Sequence, residues 1–163
     1  MQPLWAPWRM EFIAGEKPAG CIFCVFPAET GADSDRNNLI LARTERSFAM
    51  LNKYPYNSGH LMVIPRRHTA DFAGLPEEEM LDLQRLLQRS VKVLQEVYRP
   101  DGFNVGMNLG HVAGAGIPDH LHYHVVPRWG GDTNFMPVLS ETKVLIEHLA
   151  RTQERLAEAF ARA

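Results

Sequence analysis

The sequence predicts an α+β fold in which an antiparallel sheet of about five strands packs against helices. Three features of the 163 residues support this class. Short apolar segments with strand character are joined mainly by short loops, which favours antiparallel neighbours. One long helical pattern interrupts these segments, and a second helical pattern ends the chain.

The predicted strands are bounded by turn-forming residues. Pro55, Asn57 and Gly59 form a loop before one strand, and Pro65 closes that strand. Segment 33–38 is polar and is predicted to be a turn or mobile loop. The strands are expected at 39–42, 47–51, 61–64, 103–108 and 120–127.

Two helices are predicted from the spacing of apolar residues. The long helix should begin at Pro76, which three glutamates follow, as favours a helix N-terminus. Apolar residues then recur at spacings of three and four: Met80, Leu83, Leu87, Val91, Leu94 and Tyr98. The terminal helix is predicted to start at a Ser140 cap and to carry Leu145, Leu149, Leu156 and Phe160 on one face.

The composition argues against several classes of function. The net charge is −2, so no field of basic charge indicates nucleic-acid or membrane partners. No apolar run approaches the ~20 residues that cross a bilayer, and the N-terminal segment lacks the pattern of a secretory signal. We therefore expect a soluble cytoplasmic protein, with residues 1–20 as an arm packed on the body and residues 21–163 as one domain.

Three alternating histidines are the most informative feature of the sequence. His120, His122 and His124 share one face of a predicted strand, and the intervening apolar residues face the core. Imidazoles ~7 Å apart disfavour joint protonation by ~2.4 kcal/mol at an effective dielectric of 20. The stripe should therefore mix neutral and charged rings, so that a neutral ring can attack phosphorus while a charged one binds phosphate oxygens.

The segment His-Leu-His-Tyr-His-Val-Val resembles the signature of the histidine triad (HIT) family. The resemblance extends from about Cys21 to Trp129 and implies an enzyme that acts on the α-phosphate of an adenosine nucleotide or dinucleoside polyphosphate. It implies that His122 is the nucleophile and forms a covalent nucleotidyl intermediate, which water or inorganic phosphate releases. His124 would contact the α-phosphate, and the backbone around His120 would orient the nucleophile.

Two further motifs extend the resemblance. The match before the strand at 61–64 implies that Asn52 reaches the ribose hydroxyls and that His60 supports the triad from an adjacent strand. The residues alone would equally make Asn52 a turn residue. The match of Asn108 with the loop containing Gly114 and Gly116 implies phosphate contacts, since glycines let backbone N–H groups approach oxygens. Taken alone, this loop would be a flexible connector.

The chain departs from many HIT relatives just before the triad. Many relatives have Gln-Ser or Gln-Thr there, which help to protonate the leaving group, but this chain has Ala115-Gly116-Ile117-Pro118-Asp119. Other segments resemble the bacterial diadenosine tetraphosphate phosphorylase branch of the family: Trp-Ala-Pro-Trp-Arg at 5–9, Cys-Ile-Phe-Cys at 21–24 and Pro-Arg-Trp-Gly-Gly-Asp-Thr-Asn-Phe at 127–135.

The two cysteines form a Cys-x2-Cys pair. In a reducing compartment this spacing indicates half of a metal site or a redox pair before a structural disulfide. The resemblance to zinc-bearing HIT proteins implies a structural site made of Cys21, Cys24, His68 and His120. The alternative is two reduced cysteines and a surface His68.

Several functions remain as alternatives. They are a HIT phosphoramidate or dinucleoside polyphosphate hydrolase, a hydrolase whose strand histidines bind catalytic zinc, and a non-catalytic nucleotide-binding module. A homodimer is expected because an antiparallel sheet with one exposed edge suits one, and because HIT relatives are typically dimeric.

Overall fold

The computed structural model describes residues 20–31, 33–132 and 147–163. Except for Gly20, the predicted N-terminal arm lies outside the described residues. Among the described helices, none is long and apolar enough to cross a bilayer.

The strands form one five-stranded antiparallel sheet. They are β1 (Ile40–Arg43), β2 (Ser47–Leu51), β3 (Leu61–Pro65), β4 (Gly102–Met107) and β5 (Tyr123–Arg128). Their order in space is β1-β2-β3-β5-β4, with every neighbouring pair antiparallel. The predicted α+β class and its five strands are confirmed.

The last strand begins later than predicted. The ladder between β3 and β5 starts at the pair Val63 and Tyr123. Before that point, the backbone N–H of Leu121 donates to the carbonyl oxygen of Thr69, 2.8 Å away, in the loop after β3. His120 and His122 therefore lie ahead of the sheet ladder, and the predicted strand start at His120 was wrong.

Four helices accompany the sheet: α1 (Ile22–Ala28), α2 (Ser34–Asn37), α3 (Glu77–Tyr98) and α4 (Leu149–Arg162). The long helix lies where the apolar spacing predicts it. α1 was not predicted, and α2 occupies the segment predicted as a loop. α4 starts after His148, whose Nδ1 accepts a hydrogen bond from the N–H of Ala150. The predicted Ser140 cap and Leu145 lie outside the described residues.

The two faces of the sheet bury different clusters. One face packs against α3 and α4 through residues that include Leu61, Leu94 and Leu156. The other face packs against α1 through Phe23 and Met62. Because directly paired residues of neighbouring strands point to the same face, the pairing of Met62 with His124 places His124 on the α1 side of the sheet.

Candidate active site

The triad imidazoles lie together on the α1 side of the sheet. The ring centroids of His122 and His124 are 4.9 Å apart. Phe23 of α1 packs on the rings of both His120 and His122, at 5.4 and 5.1 Å. The rings of His122 and His124 are therefore closer than the ~7 Å spacing of alternate strand positions predicts.

A backbone contact fixes the orientation of His122. Its Nδ1 lies 2.8 Å from the carbonyl oxygen of His120. Because a carbonyl can only accept, Nδ1 carries the proton and the lone pair is on Nε2. The His122 side chain is only 4% exposed. The neighbouring His124 is more exposed and lines a groove, whereas His122 is not among the residues that line it.

A chain of hydrogen bonds fixes the tautomer of His124. The backbone N–H of Tyr56 donates to Nδ1 of His60 at 3.1 Å, so this nitrogen is an acceptor. Nε2 of His60 then donates to Nδ1 of His124 at 3.0 Å. His124 consequently carries its proton on Nε2 and can donate it to an oxygen of a bound phosphate. His60 is fully buried and stacks against Tyr56 at 5.0 Å.

The site disfavours positive charge on the triad. Burial lowers the pKa of His122, and burial lowers that of His120 with smaller contributions from His68 and His122. Burial and the neighbouring His122 lower the pKa of His124 to about 4. His124 is therefore neutral near pH 7 in the free protein, contrary to the predicted mixture of charged and neutral rings.

A groove of about 460 Å³ leads away from the triad along β5. It starts at His124, passes Val126 and reaches Arg128. Asn108 also lines the groove, and because Met107 pairs with Tyr123 it lies near the triad end. His124 and Asn108 thus share one concave surface, as expected for residues that contact phosphate.

The other residues predicted to bind substrate lie outside the groove lining. Oδ1 of Asn52 accepts a hydrogen bond from the N–H of Tyr54 at 2.9 Å, which is the turn role. Gly114 has φ +88°, and a Cβ there would lie 3.8 Å from the side-chain nitrogen of Asn108. Gly116 is exposed, and a Cβ there would meet open space.

Three polar residues at the far end of the groove had no predicted role. Arg128 forms an ion pair with Asp132, and Asn57 donates to the same carboxylate. The hydrogen bond from Arg128 is the main cause of the lowered pKa of Asp132. Arg128 and Asp132 belong to the Pro-Arg-Trp-Gly-Gly-Asp segment, which was noted in the sequence and could have pointed to a functional role for both residues. The contact with Asn57, 75 residues away in sequence, was not predictable from spacing.

Cys21, Cys24, His68 and His120 bring four potential metal-ligand atoms together. All four atoms lie within 4.8 Å of one another. The Cys21 Sγ–His120 Nδ1 and Cys24 Sγ–His68 Nδ1 distances are both 3.4 Å. The Cys24 Sγ–His120 Nδ1 distance is 3.7 Å, and the Nδ1 atoms of His68 and His120 are 3.3 Å apart. A tetrahedron with Zn–N of ~2.0–2.1 Å and Zn–S of ~2.3 Å has edges of about 3.3–3.8 Å.

The tautomer of His120 also suits a metal ligand. Its Nε2 lies 2.8 Å from the carbonyl oxygen of Pro65 and must donate to it, which leaves the lone pair on Nδ1. Histidines that bind metals commonly donate their second ring N–H in this way. The donor set therefore fits a tetrahedral zinc ion, which would link α1, the loop after β3 and the segment before β5.

Comparison with known proteins identifies the family. The HIT domain family matches residues 34–131. The chain belongs to the HIT family. A Mycobacterium tuberculosis protein named AP-4-A phosphorylase is 42% identical to this HIT protein over 168 residues, which span 99% of this chain and 86% of that protein. A Schizosaccharomyces pombe protein named adenosine 5'-monophosphoramidase hnt1 is 32% identical, over 66% of this chain and 74% of that protein.

Solved structures agree with this assignment. A zinc-bound histidine triad family protein from Mycobacterium smegmatis superposes with a TM-score of 0.66 at 26% identity, and covers 87% of this chain and 94% of its own. The HIT fold expected from the sequence is thus confirmed. With relatives named as a phosphorylase and as hydrolases, the chain is an enzyme of the HIT type.

Proposed function

We propose that this HIT enzyme is a diadenosine tetraphosphate phosphorylase in which Nε2 of His122 attacks the α-phosphorus. The bond from phosphorus to the bridging oxygen breaks, and this oxygen leaves with the rest of the dinucleotide as ATP. An oxygen of inorganic phosphate then attacks the same phosphorus. The P–N bond breaks, His122 is regenerated, and ADP leaves.

The orientation of His122 is the observation that carries this proposal. The hydrogen bond from its Nδ1 to the carbonyl oxygen of His120 keeps the lone pair on Nε2. Burial lowers the pKa of His122, which favours the neutral and nucleophilic ring. A fixed neutral imidazole needs no separate base before it attacks.

His124 is proposed to stabilise the charge that develops on the α-phosphate. Its proton lies on Nε2, because Nδ1 accepts from His60. A donor fixed in this way costs little reorganisation when charge develops on a phosphate oxygen. Asn108, which lines the groove at the same end, is proposed to donate a second hydrogen bond. Gly114, next to Asn108, and Gly116 are proposed to let the loop approach the phosphate, although the N–H of Gly114 donates to the carbonyl oxygen of His111 in the free protein. Asn52 is proposed to reach the ribose once its turn contact with Tyr54 opens.

The residues before the triad favour a phosphate leaving group over an amine. Ala115, Gly116, Ile117 and Pro118 offer no side-chain donor that could protonate a leaving group. An amine must take up a proton as it leaves, whereas a nucleoside triphosphate leaves as a stable anion because phosphate groups ionise near or below pH ~6. This difference favours dinucleoside polyphosphates over phosphoramidates as substrates.

We also propose that the Cys21, Cys24, His68 and His120 cluster holds structural zinc. Four protein donors leave no open position for a water, so the arrangement disfavours a hydrolase with catalytic zinc. When bound, the ion would cross-link three segments and fix His120. Because the carbonyl oxygen of His120 accepts from His122, this cross-link would stabilise the orientation of the nucleophile.

A homodimer is proposed from the edge of the sheet. Within the described part of the chain, β4 pairs with β5 alone, and Asn104, Val105 and Gly106 are exposed. A second copy that covers this edge would bury Val105, which is 45% exposed. Val105→Lys should then shift sedimentation from dimer towards monomer.

The products of turnover test the proposed reaction. Diadenosine tetraphosphate is offered with and without inorganic phosphate, and the nucleotides are separated. ADP and ATP formed only with phosphate would support phosphorolysis. AMP and ATP formed without phosphate would replace it with hydrolysis. Isotope from α-labelled substrate retained on His122 after acid-free denaturation would support the covalent intermediate.

A further inference from the structure

The cationic side chain of Arg128 lies at the end of the groove that is remote from the triad. His124 and Arg128 share a face of β5, four residues apart, so their Cα atoms are separated by ~13 Å. The groove runs between them over Val126. Among the described residues that line this groove, Arg128 alone carries a permanent positive charge.

The guanidinium of Arg128 is held in a defined orientation. Its Nε and Nη2 donate to the carboxylate of Asp132 at 2.6 and 3.0 Å, and its Nη1 donates to Oδ1 of Asn104 at 2.7 Å. Asp132 is itself held by the side chain of Asn57, 2.8 Å away and almost fully buried. The hydrogen bonds made to described residues use three of the five N–H groups of Arg128, which leaves one on each terminal nitrogen.

The arrangement places the donors outward and the carboxylate behind them. The Arg128 side chain is 46% exposed, whereas that of Asp132 is only 10% exposed. Asp132 offsets the charge of Arg128, so recognition here would depend on oriented N–H donors more than on net charge. Two oriented guanidinium N–H groups match the paired oxygens of a phosphate group.

We propose that Arg128 binds the distal phosphates of the leaving oligophosphate and so selects dinucleotides with a long phosphate chain. This inference rests on the function proposed above. Asp132 and Asn57 are positioning residues, since they act by orienting Arg128. Because the Cα atoms of His124 and Arg128 are ~13 Å apart, we assign Arg128 to phosphates beyond the α-phosphate and not to the attacking inorganic phosphate. A chain of several phosphates that is anchored at the triad would extend along the groove towards Arg128.

Two substrates with the same adenosine α-phosphate separate this role from a general loss of activity. Diadenosine tetraphosphate carries distal phosphates, and the p-nitrophenyl ester of AMP carries none. In Arg128→Met, kcat/KM for the tetraphosphate should fall about 10-fold to 100-fold more than kcat/KM for the ester. Arg128→Lys keeps the charge but loses the paired donors, so its ratio of kcat/KM for the two substrates should lie between those of Arg128→Met and wild type.

The positioning residues and a surface arginine complete the test. Asp132→Asn should reduce the preference for the tetraphosphate, mainly by raising KM. In the double variant with Arg128→Met, the ratio of kcat/KM for the two substrates should be no lower than in Arg128→Met alone. Arg151→Met, at an α4 position 78% exposed, should keep the wild-type ratio. KM for inorganic phosphate should change by less than about threefold in Arg128→Met.

The outcomes distinguish this inference from the proposed function. An equal loss for both substrates in Arg128→Met, with wild type active on both, would overturn the role of Arg128 alone. A raised KM for inorganic phosphate without a change in substrate ratio would assign Arg128 to the acceptor instead and would also overturn it. Wild-type protein that turns over neither substrate would overturn both proposals.

Discussion

Nδ1 of His122 lies 2.8 Å from the carbonyl oxygen of His120, two residues earlier in the chain. The side chain of His120 belongs to the Cys21, Cys24 and His68 cluster, so one residue contributes its imidazole to that cluster and its backbone to the nucleophile. This arrangement depends on the segment 120–122 lying ahead of the β5 ladder, where its carbonyl groups are available to side chains.

Removal of the His122 imidazole should abolish turnover and preserve binding. His122→Gln is expected to reduce kcat about 10³-fold or more, because the covalent route is lost. Affinity for ADP, measured by calorimetry, should change little. His148→Asn is the matched control, since asparagine can also cap α4. Turnover by His122→Gln within tenfold of wild type would exclude His122 as the nucleophile.

The free energy of unfolding should fall in mildly acidic solution because of His124. Its folded pKa is about 4, and its value in the unfolded chain is near 6.5. Between these values the unfolded chain binds more protons, so stability is complete above pH 6.5 and declines as the pH falls to about 4. The full loss assigned to His124 is about 3 kcal/mol.

Denaturant titrations at pH 7.5 and pH 5 check this assignment. In His124→Gln the decrease in unfolding free energy between the two pH values should be smaller than in wild type by about 1–2 kcal/mol. Other titrating groups are common to both proteins and cancel in the comparison. The same decrease in both proteins would refute the low pKa of His124.

The sequence predicted the chemistry of the triad better than its backbone. Alternation in 120–124 placed the rings on one side, although the first two positions precede the strand, because the extended backbone alternates with or without a sheet partner. The ligand set was predictable from the family resemblance, and the structure brings its four members together. Its zinc remains a prediction.

Other features depend on contacts that local sequence does not contain. α1 has seven residues, with Pro27 among them, and α2 has four. Both helices are too short for apolar residues to show a helical spacing in the sequence. The neutral state of His124 follows from burial and from the neighbouring His122. Its tautomer depends on the buried His60, which lies just before β3, and alternation along one strand cannot reveal that contact. Arg128 was visible in a motif, but its orientation depends on Asn57 from a distant loop.

Zinc removal should loosen the protein at the cysteine cluster. Protein purified without chelators is expected to contain on the order of one zinc per chain by mass spectrometry of the metal. His68→Ala should lower this content to well under half an equivalent and reduce Tm, and a chelator should reduce the Tm of wild type but not of the variant. His111→Ala, also an exposed histidine, is the control. Zinc below about half an equivalent in wild type would exclude the site.

Gly59 should be intolerant of any side chain. It has φ +80°, and a Cβ there would lie 3.2 Å from Leu94 Cδ2 and 3.2 Å from Tyr98 Cε2. Gly110 has a nearly identical φ of +82° with nothing within 4 Å. Gly110→Ala should therefore lower the free energy of unfolding only through backbone strain. Gly59→Ala should lower it by about 1–3 kcal/mol more, because the added Cβ also contacts Leu94 and Tyr98. If chemical denaturation gave the same loss of unfolding free energy for both variants, the side chains around Gly59 would have to move aside without cost, contrary to this prediction.

Because the segment before the triad has no side-chain proton donor, the rate of turnover should depend strongly on the basicity of the leaving group. Ala115, Gly116, Ile117 and Pro118 supply no side-chain proton donor, so the enzyme should protonate a departing amine poorly. General acid catalysis contributes about 10²–10⁴-fold, so kcat/KM for adenosine 5'-phosphoramidate should be about 100-fold or more below that for diadenosine tetraphosphate. Aryl esters of AMP provide the control, because their leaving groups vary in pKa at constant size. Their rates should fall steeply as the pKa of the phenol rises, whereas a flat dependence would reveal a proton donor supplied by another residue.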